Sequence, residues 1–432
     1  MKRLWRIPLI VLIGLSWLPV MSPKPIHAAT PIWAPPPLAE IIEEGLNENK
    51  EIQSLEAQVA SLEQEIPLAG SLEDLRLGFA VLNLPTDTWS FDQEAMTKKE
   101  IFIAQKVPWF GKLSLKSQRQ TLAASRQQWM LEARRLELAR QIATTYYSLG
   151  FNGSSLENNE RLTALVSQLL KVAETRYAAG EGLQQDVLEA QVELSNLLDE
   201  RIVLKRQRRT LEDQINELLN REKFTPIQPP RNLPYPDLKL DVKNLRELTL
   251  RQNPQLGARQ AKVDQTGVEI KLAKKEYWPD MDFKVAYGQR NEDFTGRDLP
   301  DLFSAGVTIS VPLWFRSRQN SQLGSAIKRR QAATKSYSSL TSSLPHQVDA
   351  LITEIRDFQK NYRLFADALV LQADQWARSA LAAYQVGKVE FNTMINAHIR
   401  LLRFELQAER YLFSIYEKRA ELEEILGGPI PQ

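Results

Sequence analysis

The chain has 432 residues, no cysteine and almost balanced charge, with 55 Lys and Arg against 53 Asp and Glu and a formal net charge of +2. Without cysteine there is no disulfide framework, thiol nucleophile or thiolate metal site, so the fold must stand on packing alone. The balanced charge gives no overall basic footprint for nucleic acid.

Lys2, Arg3 and Arg6 precede an apolar run from Ile7 to Met21, and His27-Ala28-Ala29 supplies small residues for cleavage. This predicts a secretory signal peptide over 1–29, too short and too interrupted by proline for a stable span, against the competing reading of a single anchor helix. No cysteine stands at the cleavage site, so a lipid anchor is not expected. Removing residues 1–29 takes away four cations and no acids, which moves the formal charge from +2 to −2. No later apolar run is long enough for a membrane helix, so a membrane-spanning part would have to be built from strands.

After a Pro-rich start (Thr30 to Pro37), a first helix is expected over 38–65. Its residues Leu46, Asn49, Ile52, Ala57 and Val59 match Leu250, Asn253, Leu256, Ala261 and Val263 at a constant shift of 204. The chain therefore reads as a duplication: a first repeat over 30–222, a Pro-rich linker over 223–240 and a second repeat over 241–432.

Each repeat carries a stretch of period two. Leu75, Leu77, Phe79 and Val81, then Ile101, Ile103 and Val107, predict a hairpin over 75–107. Met281, Phe283, Val285 and Tyr287, then Phe303, Ala305, Val307, Ile309 and Val311, predict a second over 281–311. Strands of about 8–10 residues suit a tilted crossing of an outer membrane. Trp109, Phe110, Trp278, Trp314 and Phe315 should lie at one rim of these strands, as an interfacial girdle would. The small polar residues on the opposite face favour a water-filled lumen over a soluble hairpin with its own small core.

Long helical segments follow each hairpin. The first runs outward from near 113 to 179, with a bend expected at Gly150 to Gly153, and returns over 183–221 and 241–277. The second runs outward over 317–386, with a break expected at Pro345, and returns over 388–426 until Gly427-Gly428-Pro429 stops it. The length still missing from that second return is assigned to the helix over 38–65. Both outward segments end in one turn: Tyr177-Ala-Ala-Gly180 and Tyr384-Gln-Val-Gly387. Beyond each turn, steps of three and four from Leu183 to Leu218, and again from Glu390 to Ile425, form a coiled-coil seam.

The paired turns, together with Val107-Pro-Trp-Phe-Gly-Lys-Leu-Ser-Leu-Lys-Ser-Gln118 and its partner Val311-Pro-Leu-Trp-Phe-Arg-Ser-Arg-Gln-Asn-Ser-Gln-Leu323, make the mature chain resemble the TolC family of outer-membrane efflux proteins. The Pro-x-x-Gly-Lys-Leu ending is similar to members that export heavy-metal ions with resistance-nodulation-division pumps. The resemblance implies a mainly α fold with a small membrane β-barrel part. Three subunits of a homotrimer would give four strands each to one 12-stranded barrel and their helices to an α-barrel through the periplasm. A four-stranded sheet cannot close alone, since the smallest barrels have eight strands.

The implied function is a passive exit duct in the cell outer membrane for metal ions or small toxic molecules, with no cofactor and no nucleic acid. Its implied partners are a periplasmic adaptor (membrane fusion) protein, an inner-membrane pump of the RND or ABC type, and outer-membrane lipid. Adaptor contact is implied at Gly180, Glu181, Gly182, Gly387, Lys388 and Val389. A Tyr-to-Asp link that holds the closed pore maps onto Tyr384 and Asp186. Two acidic constriction rings of the family map onto Thr393 and Asn396, and an Arg of its lock onto Val389, so a charged gate of the family type is not carried over. Read without the resemblance, Asp186 is a helical surface acid, Tyr384 a seam residue, and both turn glycines serve a positive φ.

Catalysis finds no support. Only His346 and His398 follow the signal peptide, and no HExxH, GxSxG or P-loop pattern is present. Two other readings stay open: the outer-membrane component of type I protein secretion, and a periplasmic coiled-coil scaffold without a pore.

Overall fold

The structure, a computed structural model, describes residues 32–223 and 225–431. The expected signal peptide lies outside the described residues. Among the described residues, nine α-helices and four strands follow in the order α1 (Pro36–Glu48), α2 (Lys50–Gly70), β1 (Arg76–Leu82), β2 (Lys98–Val107), α3 (Lys112–Ala178), α4 (Gln184–Leu218), α5 (Val242–Gln252), α6 (Pro254–Lys275), β3 (Met281–Gln289), β4 (Leu302–Ile309), α7 (Gln319–Arg363), α8 (Val370–Gln385) and α9 (Phe391–Leu426). No described helix is long and apolar enough to cross a membrane.

The four strands make one antiparallel sheet in the order β1-β2-β3-β4. β2 and β3 pair from Val107↔Met281 to Lys99↔Gln289, although the whole first helical hairpin lies between them in sequence. β1 and β4 are the edges, with no further strand beside them among the described residues. Both expected hairpins therefore form and join side by side.

Below the sheet, α3 is one helix of 67 residues, about 100 Å long. At Gly150 to Gly153, where a bend is expected, α3 runs on without interruption. Gly150 serves close packing: a Cβ on it would lie 2.5 Å from Phe413 and 2.6 Å from Pro230. The Pro-rich linker crosses α3 at this point, and only a helix surface without a side chain lets it come so near.

The helix expected over 38–65 is broken at Asn49, and the one over 241–277 is broken at Asn253. Both asparagines are extended (ψ 119° and 118°) and cap the helix that follows. Asn49 Oδ1 accepts from the Glu51 and Ile52 amides, and Asn253 Oδ1 from the Leu256 amide. Each also donates through Nδ2 to the end of another helix, Asn49 to Leu218 O at 2.9 Å and Asn253 to Ile425 O at 2.9 Å.

These two bonds show which helix continues which. The end of α4 meets the start of α2, and the end of α9 meets the start of α6. This reverses the assignment of 241–277 to the first return and 38–65 to the second. The reversal follows from the duplication, because both splices have the same chemistry. The helix ends match as well: Asn220 (φ 54°) ends the α4 segment, and Gly427 (φ 85°) ends α9.

Pro345 stays inside α7 without a break. Leu340 and Leu344 are packed there against Leu256, so the loss of one helical bond is absorbed by the packing on either side. The irregularity lies further on, where a π-helical turn over Leu364–Leu369 joins α7 to α8. From Val311 to Tyr384 is 73 residues, against 70 from Val107 to Tyr177. The second outgoing segment thus carries three extra residues; one is Leu313, which precedes α7, and the π turn takes up one more.

Among the described residues, two of the buried cores lie along α3. Leu138, Ile142, Tyr147, Ile215, Phe413 and Tyr416 meet midway along α3. Leu169, Ala173, Ala377, Tyr384, Phe391 and Met394 meet near the turns. At the middle core, the fully buried Glu423 takes the Trp33 amide at 3.1 Å, the Ile430 amide at 3.3 Å and Arg419 Nε at 3.0 Å, so one carboxylate ties the segments before α1 and after α9 to α9.

Candidate functional site

Two regions carry the residues singled out from sequence: the turns at one end and the sheet at the other.

At the turns, α3 and α8 end in the same way. Gly180 (φ 73°) donates to Tyr177 O at 3.0 Å, and Gly387 (φ 69°) donates to Tyr384 O at 3.0 Å. The next amide closes a wider ring, Glu181 to Arg176 O and Lys388 to Ala383 O, both at 2.9 Å. This is the left-handed helix stop that favours glycine. Nothing lies within 4 Å of a Cβ built on either residue, so backbone conformation rather than space selects it.

The two tyrosines differ. Tyr177 is half exposed, whereas Tyr384 is only 6% exposed and packs edge-on against Phe391 with centroids 5.8 Å apart. Arg176 sets its guanidinium 4.9 Å from the Tyr384 ring centroid, and its Nη1 donates to Tyr384 O at 3.4 Å. Val389 packs partly on the same core, while Glu181 and Lys388 are exposed and Gly182 is half-buried.

Asp186 is half-buried in the first turn of α4 and makes no hydrogen bond with the Tyr384 hydroxyl among the described residues. It faces Glu189, whose carboxyl is pushed up by burial and then by the neighbouring Asp186 and Glu193. Thr393 and Asn396 are exposed on α9, and Asn396 Nδ2 donates to Asn392 O at 2.9 Å. The chain therefore brings Tyr384 and Val389 together and leaves Asp186 on a separate acidic face of α4. Sequence reasoning missed Arg176. Its position beside Tyr177 was visible, but its partner 208 residues away was not.

The sheet has two unlike faces. One carries rows that cross all four strands: Phe79, Ile101, Tyr287 and Phe303 in one row, and Leu77, Ile103, Val285 and Ala305 in the next. Nearly all of these large side chains are exposed, Leu77 at 74% and Phe303 at 73%. A continuous apolar surface of this kind is far larger than a soluble monomer ordinarily leaves open.

The other face is polar. Glu100 lies between Lys98 (2.8 Å) and Lys284 (2.9 Å), and Arg76 pairs with Asp282. Lys284 also stands 4.2 Å over the Phe102 ring, which lies above Gly78 where a side chain would collide with it. An alternating strand with one face apolar and exposed and the other charged suits lipid outside and water inside.

The aromatics meet at the end of the sheet from which α3 leaves. Trp109 and Trp278 stack, with centroids 5.0 Å and planes 12° apart, and Phe110 touches Trp109 edge-on at 5.7 Å. Trp314 and Phe315 follow β4 at the same end and are exposed. The stack is held by Lys112, a residue to which the sequence reading gave no role. Its buried Nζ reaches Asp280 Oδ1 at 2.9 Å and Trp278 O at 3.4 Å, and the same Asp280 oxygen accepts the Trp109 amide at 2.9 Å. Lys112 thus ties the start of α3 to the start of β3.

Residues 245–428 match the family model of outer membrane efflux proteins. No curated protein matches the chain by sequence. Among solved structures, the chain is similar to the outer-membrane channel OprN (16% identity, TM-score 0.77, 91% of this chain and 90% of that one). It is also similar to the outer membrane protein VceC of Vibrio cholerae (18%, 0.77, 91% and 97%). A third similar structure is the Campylobacter jejuni CmeC outer membrane channel (12%, 0.76, 91% and 86%). The neighbours described as channels are conduits rather than enzymes. Residues 245–428 thus match the outer membrane efflux protein family, and the described chain as a whole has the fold of these outer-membrane channels.

Proposed function

We propose that this protein is the outer-membrane exit duct of a tripartite efflux system, conducting passively when an inner-membrane pump and a periplasmic adaptor engage it. The observation that carries this reading is the four-stranded sheet, with one face apolar and exposed and both edges open. In lipid the edge N–H and C=O groups of β1 and β4 would each cost several kcal/mol, roughly, if left unpaired. Pairing β4 of one copy with β1 of the next removes them, and three copies close twelve strands. The helices then form a tunnel of about 100 Å from the turns to the membrane.

The turns are the proposed pore entrance, with Gly180, Glu181, Gly182, Gly387, Lys388 and Val389 meeting the adaptor. The proposed gate comprises Tyr384, Asp186, Thr393 and Asn396, and Arg176 holds Tyr384 in the closed arrangement. Trp109, Phe110, Trp278, Trp314 and Phe315 are proposed to sit at the periplasmic membrane interface. The amino-terminal segment is proposed to be a cleaved export signal without a lipid anchor.

The test is purification from the membrane fraction, electrophoresis before and after heating, and planar-bilayer recording. The duct reading expects a heat-modifiable trimer with discrete conductance steps. A monomer that stays in the soluble fraction and never conducts would instead support a scaffold.

A further inference from the structure

At the rim of the sheet, a recess of about 500 Å³ opens between the start of α3 and the end of α6. Gly111, Ser114 and Leu115 line one side, and Lys271, Lys274, Lys275 and Trp278 line the other. The three lysines stand at i, i+3 and i+4, which puts them on one helix face. None of their ammonium groups has a hydrogen-bond or ion-pair partner among the described residues, and Lys271 and Lys274 are exposed.

The acids nearby are engaged elsewhere. Asp280 and Glu276 bind the buried Lys112 at 2.9 and 3.5 Å, and Glu269 binds Arg329 at 3.4 Å. Helix-end electrostatics favours Lys274 and Lys275 in the last turn but fades before Lys271. It also does not account for a recess beside them. Gly111 (φ 82°) is selected by its left-handed backbone rather than by space, since a Cβ there would lie an ordinary 3.9 Å from Lys275 Nζ.

The position of the recess selects its ligand. It lies beneath β2 and β3, the two central strands, away from the edges that would join neighbouring copies. Trp278, which stacks on Trp109 at the border of the apolar face, forms part of its wall. We propose that this recess binds the phosphate headgroup of an anionic phospholipid of the inner leaflet, with Lys271, Lys274 and Lys275 around the phosphate and Trp278 beside the glycerol. Clustered ammonium groups at a membrane surface attract anionic headgroups, and tryptophan settles at the same depth. The proposal rests on the outer-membrane reading above.

The test uses the purified full-length trimer in mixed micelles with equal phosphatidylglycerol and phosphatidylcholine, and counts retained lipids by native mass spectrometry. The wild type should retain the anionic lipid with roughly tenfold or greater preference. The triple variant Lys271→Gln, Lys274→Gln, Lys275→Gln should fall to near parity while remaining a conducting trimer. A control carrying Lys335→Gln and Lys360→Gln, far down α7, should keep the preference. Inorganic phosphate in excess should leave the lipid bound. Parity in the wild type, an unchanged preference in the triple variant, equal loss in the control, or displacement by free phosphate would each overturn the site. Failure of the wild type to insert and conduct at all would instead overturn the outer-membrane reading on which it rests.

Discussion

Arg176, the third residue from the Ala178 end of α3, sets its guanidinium over the ring of Tyr384 near the end of α8, 4.9 Å from its centroid, and donates to the same residue's carbonyl. One side chain therefore links the two turns that the duplication produced.

A cation over an aromatic ring contributes about 0.5 to 2 kcal/mol depending on exposure. If the turns close the pore, Arg176→Gln should shift the closed–open balance toward open by roughly two- to thirtyfold. Single-channel recording should show higher open probability or larger steps. Tyr384→Phe, which keeps the ring, should do less than Arg176→Gln, and the opposite order would place the lock at the hydroxyl.

The two capping asparagines should be costly to lose. Asn253→Ala removes a helix cap, worth about 1 kcal/mol. It also leaves the Ile425 carbonyl without its partner, at about 1–3 kcal/mol if buried. Asn253→Asp keeps the cap and loses only the Nδ2 donor, so it should fall between wild type and Asn253→Ala in denaturant midpoint. The same order is expected at Asn49.

Gly150 and Gly153 should separate by sterics. A Cβ on Gly150 meets Phe413 and Pro230 at 2.5 and 2.6 Å, whereas one on Gly153 lies an ordinary 3.5 Å from Pro229. Gly150→Ala should destabilise by about 1–3 kcal/mol through overpacking. Gly153→Ala should be neutral or slightly stabilising in thermal melts, as helix propensity favours alanine.

Glu417 gives a pH signature. Burial raises its carboxyl above the ordinary range, against the smaller opposing effect of the Ser148 hydroxyl, which donates to Oε1 at 2.7 Å. A raised acid favours the folded state most below its unfolded value, and that advantage is lost as pH rises through the folded value. Glu417→Gln stays neutral and can still accept from Ser148. Its melting temperature should therefore exceed that of the wild type at pH 8 and converge on it near pH 4. A constant gap across that range would mean that the carboxyl does not titrate upward.

Some of this was legible in the sequence and some was not, for identifiable reasons. The alternation of Met281, Phe283, Val285 and Tyr287 marks β3, because a two-sided strand must show period two. Gly180 and Gly387 mark the turns, because the left-handed stop favours glycine. The breaks at Asn49 and Asn253 were hidden because a one-residue kink leaves the apolar spacing on both sides intact. For the same reason the order of splicing, α4 to α2 and α9 to α6, could not be read from segment lengths. Pro345 carried a breaking signal that packing overrode, while the π turn at Leu364–Leu369 has no compositional mark. Arg176 over Tyr384 and Lys112 on Asp280 are long-range contacts between ordinary helical and loop residues, and they emerge only from the fold.

The central claim is that the edges β1 and β4 pair between copies, and the absence of native cysteine makes it directly measurable. Phe79→Cys on β1 should be combined in turn with Phe303→Cys, Ala305→Cys, Val307→Cys and Ile309→Cys along β4, and each purified double variant oxidised. The account predicts that at least one combination yields a covalent trimer, reversed by reductant, that still conducts in bilayers. No intermolecular disulfide at any of the four positions, in protein that remains folded, would contradict it.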